Sequence, residues 1–355
     1  MSWRIRAEHR THYRYLHDVT SSYNEARITP LTTVDQLVLD AAVEVTPPAR
    51  VYRYLDYWGS VVHSFEVSVA HRELVVTGRS VVETSVPSAP AQPLSWADLD
   101  AEQLVDEWSE LLAPTAMVRP DARIAEAAAE IRGDHPPAGA GRAAVDWVHS
   151  RLSYVPGTTG VHTSAAEALA GGRGVCQDFA HLTLALARAM GIPGRYCSGY
   201  LHPNPDAGIG HPVAGESHAW VELWCGDWQG FDPTSGWPVG ERHVLVARGR
   251  DYHDVTPLKG VSTGVRRRPS RWGCSSPARP DRATGRRQPP EVLGAAEQLE
   301  TPPQHRVVGR LARMAGDRVA LAGPVDLDGE VQLAGCPPDE TGAELEVELG
   351  GDRLG

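Results

Sequence analysis

Cysteine is scarce in this sequence. Five occur among 355 residues, at 176, 197, 225, 274 and 336, odd in number and without a repeated spacing. Such a set builds no disulfide framework and reads as reduced thiols, so a cytoplasmic protein is expected. Long apolar runs are missing as well: no stretch of 18 or more apolar residues occurs, so neither a membrane-spanning helix nor a membrane partner is expected. The opening MSWRIRAEHRTHYRY has no apolar signal core, and export through one is not expected. Basic residues are outnumbered, 34 Lys and Arg against 45 Asp and Glu, and the net charge of −11 argues against a dedicated nucleic-acid binder, which needs a basic face for phosphates. What remains, 41% hydrophobic and 22% charged, is the composition of a globular protein long enough for two domains and an appended segment.

Taken in order, the chain changes character three times. Residues 1–86 read as strands: Trp3, Ile5 and Ala7 alternate with polar partners, and Asp35–Val45, Val61–Val69 and the run from Leu74 alternate in the same way. An antiparallel β-sandwich is the natural expectation, with His9, His12 and His17 as surface residues rather than ligands. Residues 87–94, rich in Pro, Ala and Ser, read as a linker. From 95 to 264 a helical period takes over: Ser95–Leu112, Arg123–Ile131 and Ala140–Leu152 each carry one apolar face, and Ser164 with Glu167 fits a capping box. Strands are expected at Arg195–Leu201, at Glu216–Cys225 (apolar on both faces, hence central), after Asp227, at Val244–Ala247 and at Asp251–Val255.

Beyond Val265 the pattern collapses. Val261–Pro290 holds eight arginines against the single acid Asp281, with no apolar period, and reads as a disordered basic connector. Short alternating runs return between 306 and 349, among them Glu344-Leu-Glu-Val-Glu-Leu, as a small β element or a poorly ordered tail.

The chemistry points to Gly171–Tyr200, where a glycine-rich turn runs into an apolar helical segment that begins at Cys176 and is stopped by Gly191-Ile-Pro-Gly. Unpaired N–H groups and the positive end of the dipole favour a thiolate at a helix start. Phe179, Ala180, Thr183, Leu184, Ala187 and Met190 form its expected buried face. A catalytic thiol needs a base and a group that orients the base. His218 opens the Trp-rich strand and Asp232 ends the next short one. With strand pairing around the intervening turn, Asp232 falls opposite Val221, and a slip or one bulge brings it to His218. A metal site built from Cys197, His202, His211 and His218 matches no standard spacing. Asp178 reads as a structural hydrogen-bond acceptor, and Cys197 and Cys225 as core.

GVCQDFAHLTLALARAMGIPGRYCSGYL, followed by ESHAWVELW and GFDPTSG, closely resembles the transglutaminase-like cysteine enzyme superfamily. HRTHYRYLHDVTSSYNEARITPLTTVDQ resembles the β domain that precedes this core in many bacterial members, so the likeness spans about residues 1–264. It implies an α+β architecture: a β-sandwich (1–86), a linker (87–94), a papain-like core of helices on an antiparallel sheet (95–264), and a basic linker with an uncertain tail (265–355). It implies Cys176 as nucleophile, His218 as general base and acid, and Asp232 as its orienter, with no metal and no cofactor. The expected reaction is acyl transfer on peptide or glutamine-type amides through a thioester. Hydrolysis is preferred, with amine transfer and a non-catalytic protein-binding module as alternatives. The Cys176 N–H is an expected oxyanion donor, with Tyr154 and Trp220 as weak candidates for a second. Resembling chains carry one more regular strand where the Arg/Pro run begins. A reading-frame shift near Val265 is therefore inferred, since GC-rich DNA read out of frame yields Arg, Pro, Gly and Ala.

Overall fold

The computed structural model describes residues 2–87, 94–203, 212–264 and 343–349. All of them belong to one of the chain's two units, Met1–Arg266 with Leu327–Gly355; the other, Arg267–Asp326, lies outside the described residues, and with it the expected basic connector and frame shift.

The first five strands are β1 (Ser2–Ala26), β2 (Gln36–Thr46), β3 (Val51–Leu55), β4 (Val61–Val67) and β5 (His71–Ser85). β1 organises them. Its register against β5 shifts between Arg14 and Val19; before the shift it pairs with β5, and its last residues pair with β4. β2 extends β5 and β3 extends β4. One strand shared by two pairings curls the antiparallel sheet on itself, and Phe65, Val67, Leu74 and Val76 pack together inside the curl. From Ser2 to Thr11 burial along β1 alternates strictly, so Trp3, Ile5, Ala7, His9 and Thr11 all point inward. His9 is therefore a core residue, correcting its surface assignment. Its Nε2 lies 3.1 Å from Thr11 Oγ1, and burial pushes its pKa down to about 4, so it is neutral.

Ser95–Leu112 forms three short helices rather than one: α1 (Trp96–Leu99), α2 (Glu102–Glu107) and α3 (Ser109–Leu112). Ser95 and Asp98 close a capping box around a single turn, and across all three helices the buried residues are Leu99 and Leu111. With so little apolar burial, nothing holds a continuous helix together. α4 (Ala122–Asp134) starts on the Asp121 cap, and α5 (Pro137–Arg151) starts three residues before Ala140 because Pro137 fits the first helical turn. β6 (Ser153–Tyr154) leads to α6 (Ala165–Gly171), whose Ser164/Glu167 capping box forms as expected and which ends on left-handed Gly172. β7 (Arg173–Gly174) pairs in parallel with β6 immediately before α7 (Cys176–Ala189).

The remaining elements are β8 (Gly194–Leu201), β9 (Val213–Trp224), β10 (Trp228–Phe231), β11 (His243–Gly249), α8 (Tyr252–Val255), β12 (Leu258–Gly264) and β13 (Ala343–Leu349). The expected strand at Asp251–Val255 is helical because the Asp251 side chain caps it by accepting from the His253 N–H. β9 is central, with β8 on one side and β10 on the other, and β11 pairs with β8. α7 was expected to bury one face; instead every residue from Cys176 to Arg188 is buried, since helices and sheet enclose it on all sides. Two of its buried polar side chains bond to backbone: Thr183 donates to Phe179 O, and Arg188 donates to Ala113 O and Gly194 O.

The curled sheet docks on this core through polar ties as well as packing. Leu31 N and Gln36 Nε2 both donate to Leu245 O, and Tyr200 donates its hydroxyl to Ile28 O at 2.9 Å. β12 and β13 each run antiparallel to β1, and β13 also pairs with β9 at residues 213–215. The Glu344-Leu-Glu-Val-Glu-Leu run is thus a strand. Among the described residues no helix is long and apolar enough to cross a membrane.

Candidate active site

Cys176 is the first residue of α7, and the local sequence fixes it there. Asp178 reaches back to accept the Val175 N–H at 2.7 Å and the Thr159 hydroxyl at 2.6 Å. It is the structural acceptor expected from the sequence, and burial raises its pKa against those two hydrogen bonds. A Cβ on Gly174 would stand 2.6 Å from Asp178 Oδ2, so only glycine lets the chain turn this tightly into the helix. Thr159 also lines an open groove of ≈ 500 Å³ with Gly160, Val161, His162 and Arg173.

His218 enters from β9. Asp232 follows the last residue of β10, and Phe231 pairs with Val221, so Asp232 comes level with Trp220 rather than Val221. The difference is one residue, and it removes the need for a slip or bulge. His218 and Trp220 lie two apart on one strand, which share a face, and His218 Nε2 meets Asp232 Oδ2 at 2.9 Å. Cys176 is the other hydrogen-bond partner of the imidazole, leaving it Nδ1. The three residues singled out in the sequence therefore converge.

The electrostatics follow from that order. Burial works to strip the proton from His218, but the hydrogen bonds and charges of Asp232 and Cys176 override it and push the pKa up to about 10. Burial also opposes charge on fully enclosed Asp232, yet hydrogen bonds from His218 and His243 hold its carboxyl well below the usual carboxylate range. Its Oδ1 accepts from the N–H groups of Thr234 and Ser235, and its Oδ2 from the Ser235 hydroxyl at 2.7 Å. The loop carrying it is fastened to α5 by His149, in contact with Pro233 O, and by Arg142, which donates to Gly236 O.

Sequence reasoning missed His243, at the start of β11, whose Nε2 lies 3.4 Å from Asp232 Oδ2. Its spacing from Asp232 follows no motif; only the sheet brings it near. Gly199 makes this possible. It sits on β8 between His218 on β9 and Leu245 on β11, and a Cβ there would lie 2.7 Å from the Trp220 ring and 2.0 Å from Val244 O. Trp220 packs against both histidines, with ring centroids 6.3 Å from His218 and 5.3 Å from His243.

Among the described residues one group of three could hold a metal, His218, Asp232 and His243, with ligand atoms within 4.8 Å of one another. Its donor set does not fit. His243 Nδ1 accepts the Gly240 N–H, so the proton resides on Nε2, the atom a cation would need. The alternative set from the sequence does not assemble either: Cys197 and His202 do not join His218, and His211 lies outside the described residues. Cys197 and Cys225 are core thiols; burial pushes the first well up and the second to about 12. Of the two weak oxyanion candidates, Trp220 is a buried wall whose Nε1 has no hydrogen-bond partner among the described residues, and Tyr154 is exposed on β6 opposite Gly174.

Comparison with known proteins adds three findings. A model of the transglutaminase-like superfamily matches residues 125–233, and one of the bacterial transglutaminase-like N-terminal region matches residues 5–83. An uncharacterized protein of Mycobacterium leprae is 48% identical over 262 residues, covering 74% of this chain and 94% of that protein. An uncharacterized protein of Mycobacterium tuberculosis is 33% identical over 288 residues, covering 73% and 87%. A solved structure from Cytophaga hutchinsonii, described as a candidate cysteine protease, shares the fold with a TM-score of 0.59 at 24% identity, covering 74% of this chain and 89% of that one.

Proposed function

The chain belongs to the transglutaminase-like superfamily, and on that premise we propose that it is a thiol-dependent acyl-transfer enzyme acting on peptide or glutamine-type amides, with water as the usual acceptor. The observation that carries this reading is His218 placed between Cys176 and Asp232, both of which favour its protonated form. Cys176 Sγ attacks the amide carbon and the carbonyl electron pair moves onto oxygen. The developing charge meets the Cys176 N–H, which has no partner within its own helix at this first position. His218 gives its proton to the nitrogen as the C–N bond breaks, and the amine leaves a thioester on Cys176. Water then attacks the thioester while His218 takes its proton, the C–S bond breaks, and the acid departs. Asp232 holds the imidazole in one tautomer and stabilises its charge throughout.

Among the described residues Cys176, Cys197 and Cys225 are free, which suits a reducing compartment, and the reading assigns the enzyme to the cytoplasm with a peptide or protein substrate, neither nucleic acid nor membrane being a partner. A panel of peptides and glutamine donors, offered with and without a primary amine, tests it. Product formation is expected without amine and is expected to fall to background in Cys176→Ala. Turnover that appears only with amine would make the enzyme a transferase, and turnover that survives Cys176→Ala would overturn the assignment.

A further inference from the structure

We propose that His243 is a positioning residue of this site: it donates a hydrogen bond to Asp232 and so limits how tightly Asp232 holds the proton of His218. The inference rests on the catalytic reading above. Its basis is geometric. Asp232 Oδ2 has three neighbours with donors, Ser235 Oγ at 2.7 Å, His218 Nε2 at 2.9 Å and His243 Nε2 at 3.4 Å. The role of His243 in that set is fixed from its other side, where the Gly240 N–H meets Nδ1 at 3.2 Å; an acceptor Nδ1 means a proton on Nε2, aimed at the carboxylate.

The ring is buried, held edge-on to Trp220, and its own backbone N–H is tied to Gly240 O. The charged or titratable groups around it are Asp232, His218 and Arg242, and Cys176 lies beyond His218. Burial lowers the pKa of His243, so it acts as a neutral donor and not as a second imidazolium.

The consequence concerns His218. A carboxylate oxygen shared with a second donor attracts the first less strongly. Removing His243 returns that electron density to the His218 hydrogen bond, so the imidazolium holds its proton more firmly and gives it up less readily to a leaving amine. The carboxylate itself stays in place, since Thr234 N, Ser235 N and Ser235 Oγ still hold it.

The pH dependence of Cys176 alkylation by iodoacetamide reads this directly, without a known substrate. In the full chain, two steps in rate are expected, the upper one marking loss of the His218 proton. His243→Leu should move that upper step to higher pH by about one unit, and the turnover number should fall about 10-fold with KM unchanged. His243→Gln, which keeps an N–H of similar reach, should restore both. An unmoved upper step in His243→Leu, or the same displacement in His243→Gln, overturns the role of His243. Failure of the underlying reading looks different: Cys176 in the unsubstituted chain would then react no faster than buried Cys197.

Discussion

Two buried regions of this protein carry a cysteine among charged groups, and only one of them sets an imidazole beside the thiol. At the start of α7, Cys176 meets His218, an imidazole able to take up and return a proton, which is hydrogen-bonded to Asp232. On β8, Cys197 lies opposite Trp220, with the charges of Glu222, Arg248 and Arg195 acting on its thiol. Glu222 is gripped by Arg195 and by both donor faces of Arg248, whose Nε and Nη2 each lie 2.9 Å from it. Arginine does not release its proton, so the second region has charge without a base. Burial and Glu222 push the Cys197 thiol well up. The identity of the partner cation, not the burial of the cysteine, separates the two.

The comparison breaks hardest at Asp232. Asp232→Asn keeps the shape but removes the charge that faces His218, and turnover should fall about 10²–10⁴-fold. The same substitution tests a difference in alkali. A group whose pKa is raised on folding stabilises the fold fully below its unfolded value and loses that contribution as pH rises through the folded value. For His218 that window runs from 6.5 to about 10. Melting temperature should therefore decline across it in the unsubstituted chain, and less so in Asp232→Asn. Glu222, lowered on folding by Arg248 and Arg195 against the effect of burial, contributes above its ordinary 4.5 and loses the contribution as pH falls. The part of that decline which Asp232→Asn removes belongs to the Cys176 region; above its ordinary 9.0 the raised Cys197 thiol adds a loss of its own.

Glu222→Gln works on the other side of the comparison. It leaves Arg195 and Arg248 buried without a counter-charge and should cost about 3–5 kcal/mol in urea unfolding. The pH profile of Cys176 alkylation at temperatures where the fold persists should not move. A profile that shifts would mean the two regions are coupled through β9. The smallest effect is expected from Cys197→Ser, about 1 kcal/mol of stability and unchanged turnover. A large loss of turnover there would erase the contrast.

Much of the candidate site was legible in the chain. A glycine turn before an apolar helix marked Cys176, and strand-like runs ending in turns marked His218 and Asp232, because helix starts and strand ends are written in local residue types. The alternation of β1 was legible too, and followed two residues further it would have placed His9 inside with Trp3, Ile5 and Ala7. Ser95–Leu112 misled because its period implied an apolar face that the fold scarcely buries. α7 differed in the opposite direction: one buried face was expected, and the surrounding helices and sheet bury every residue from Cys176 to Arg188.

The sequence by itself determined most of the strand and helix content, the order of the β-rich and helix-rich parts, and the three residue types of the candidate site. Local periodicity and turn chemistry act over a few residues and survive in one dimension. Tertiary structure alone decided that His218 and Asp232 meet without a slip, that Gly199 leaves the space across which His243 reaches Asp232, and that Arg195 and Arg248 rather than a base surround Glu222 beside Cys197. Those outcomes depend on register across β8, β9, β10 and β11, where one residue reverses the face a side chain occupies, and register is set by the packing of the whole sheet.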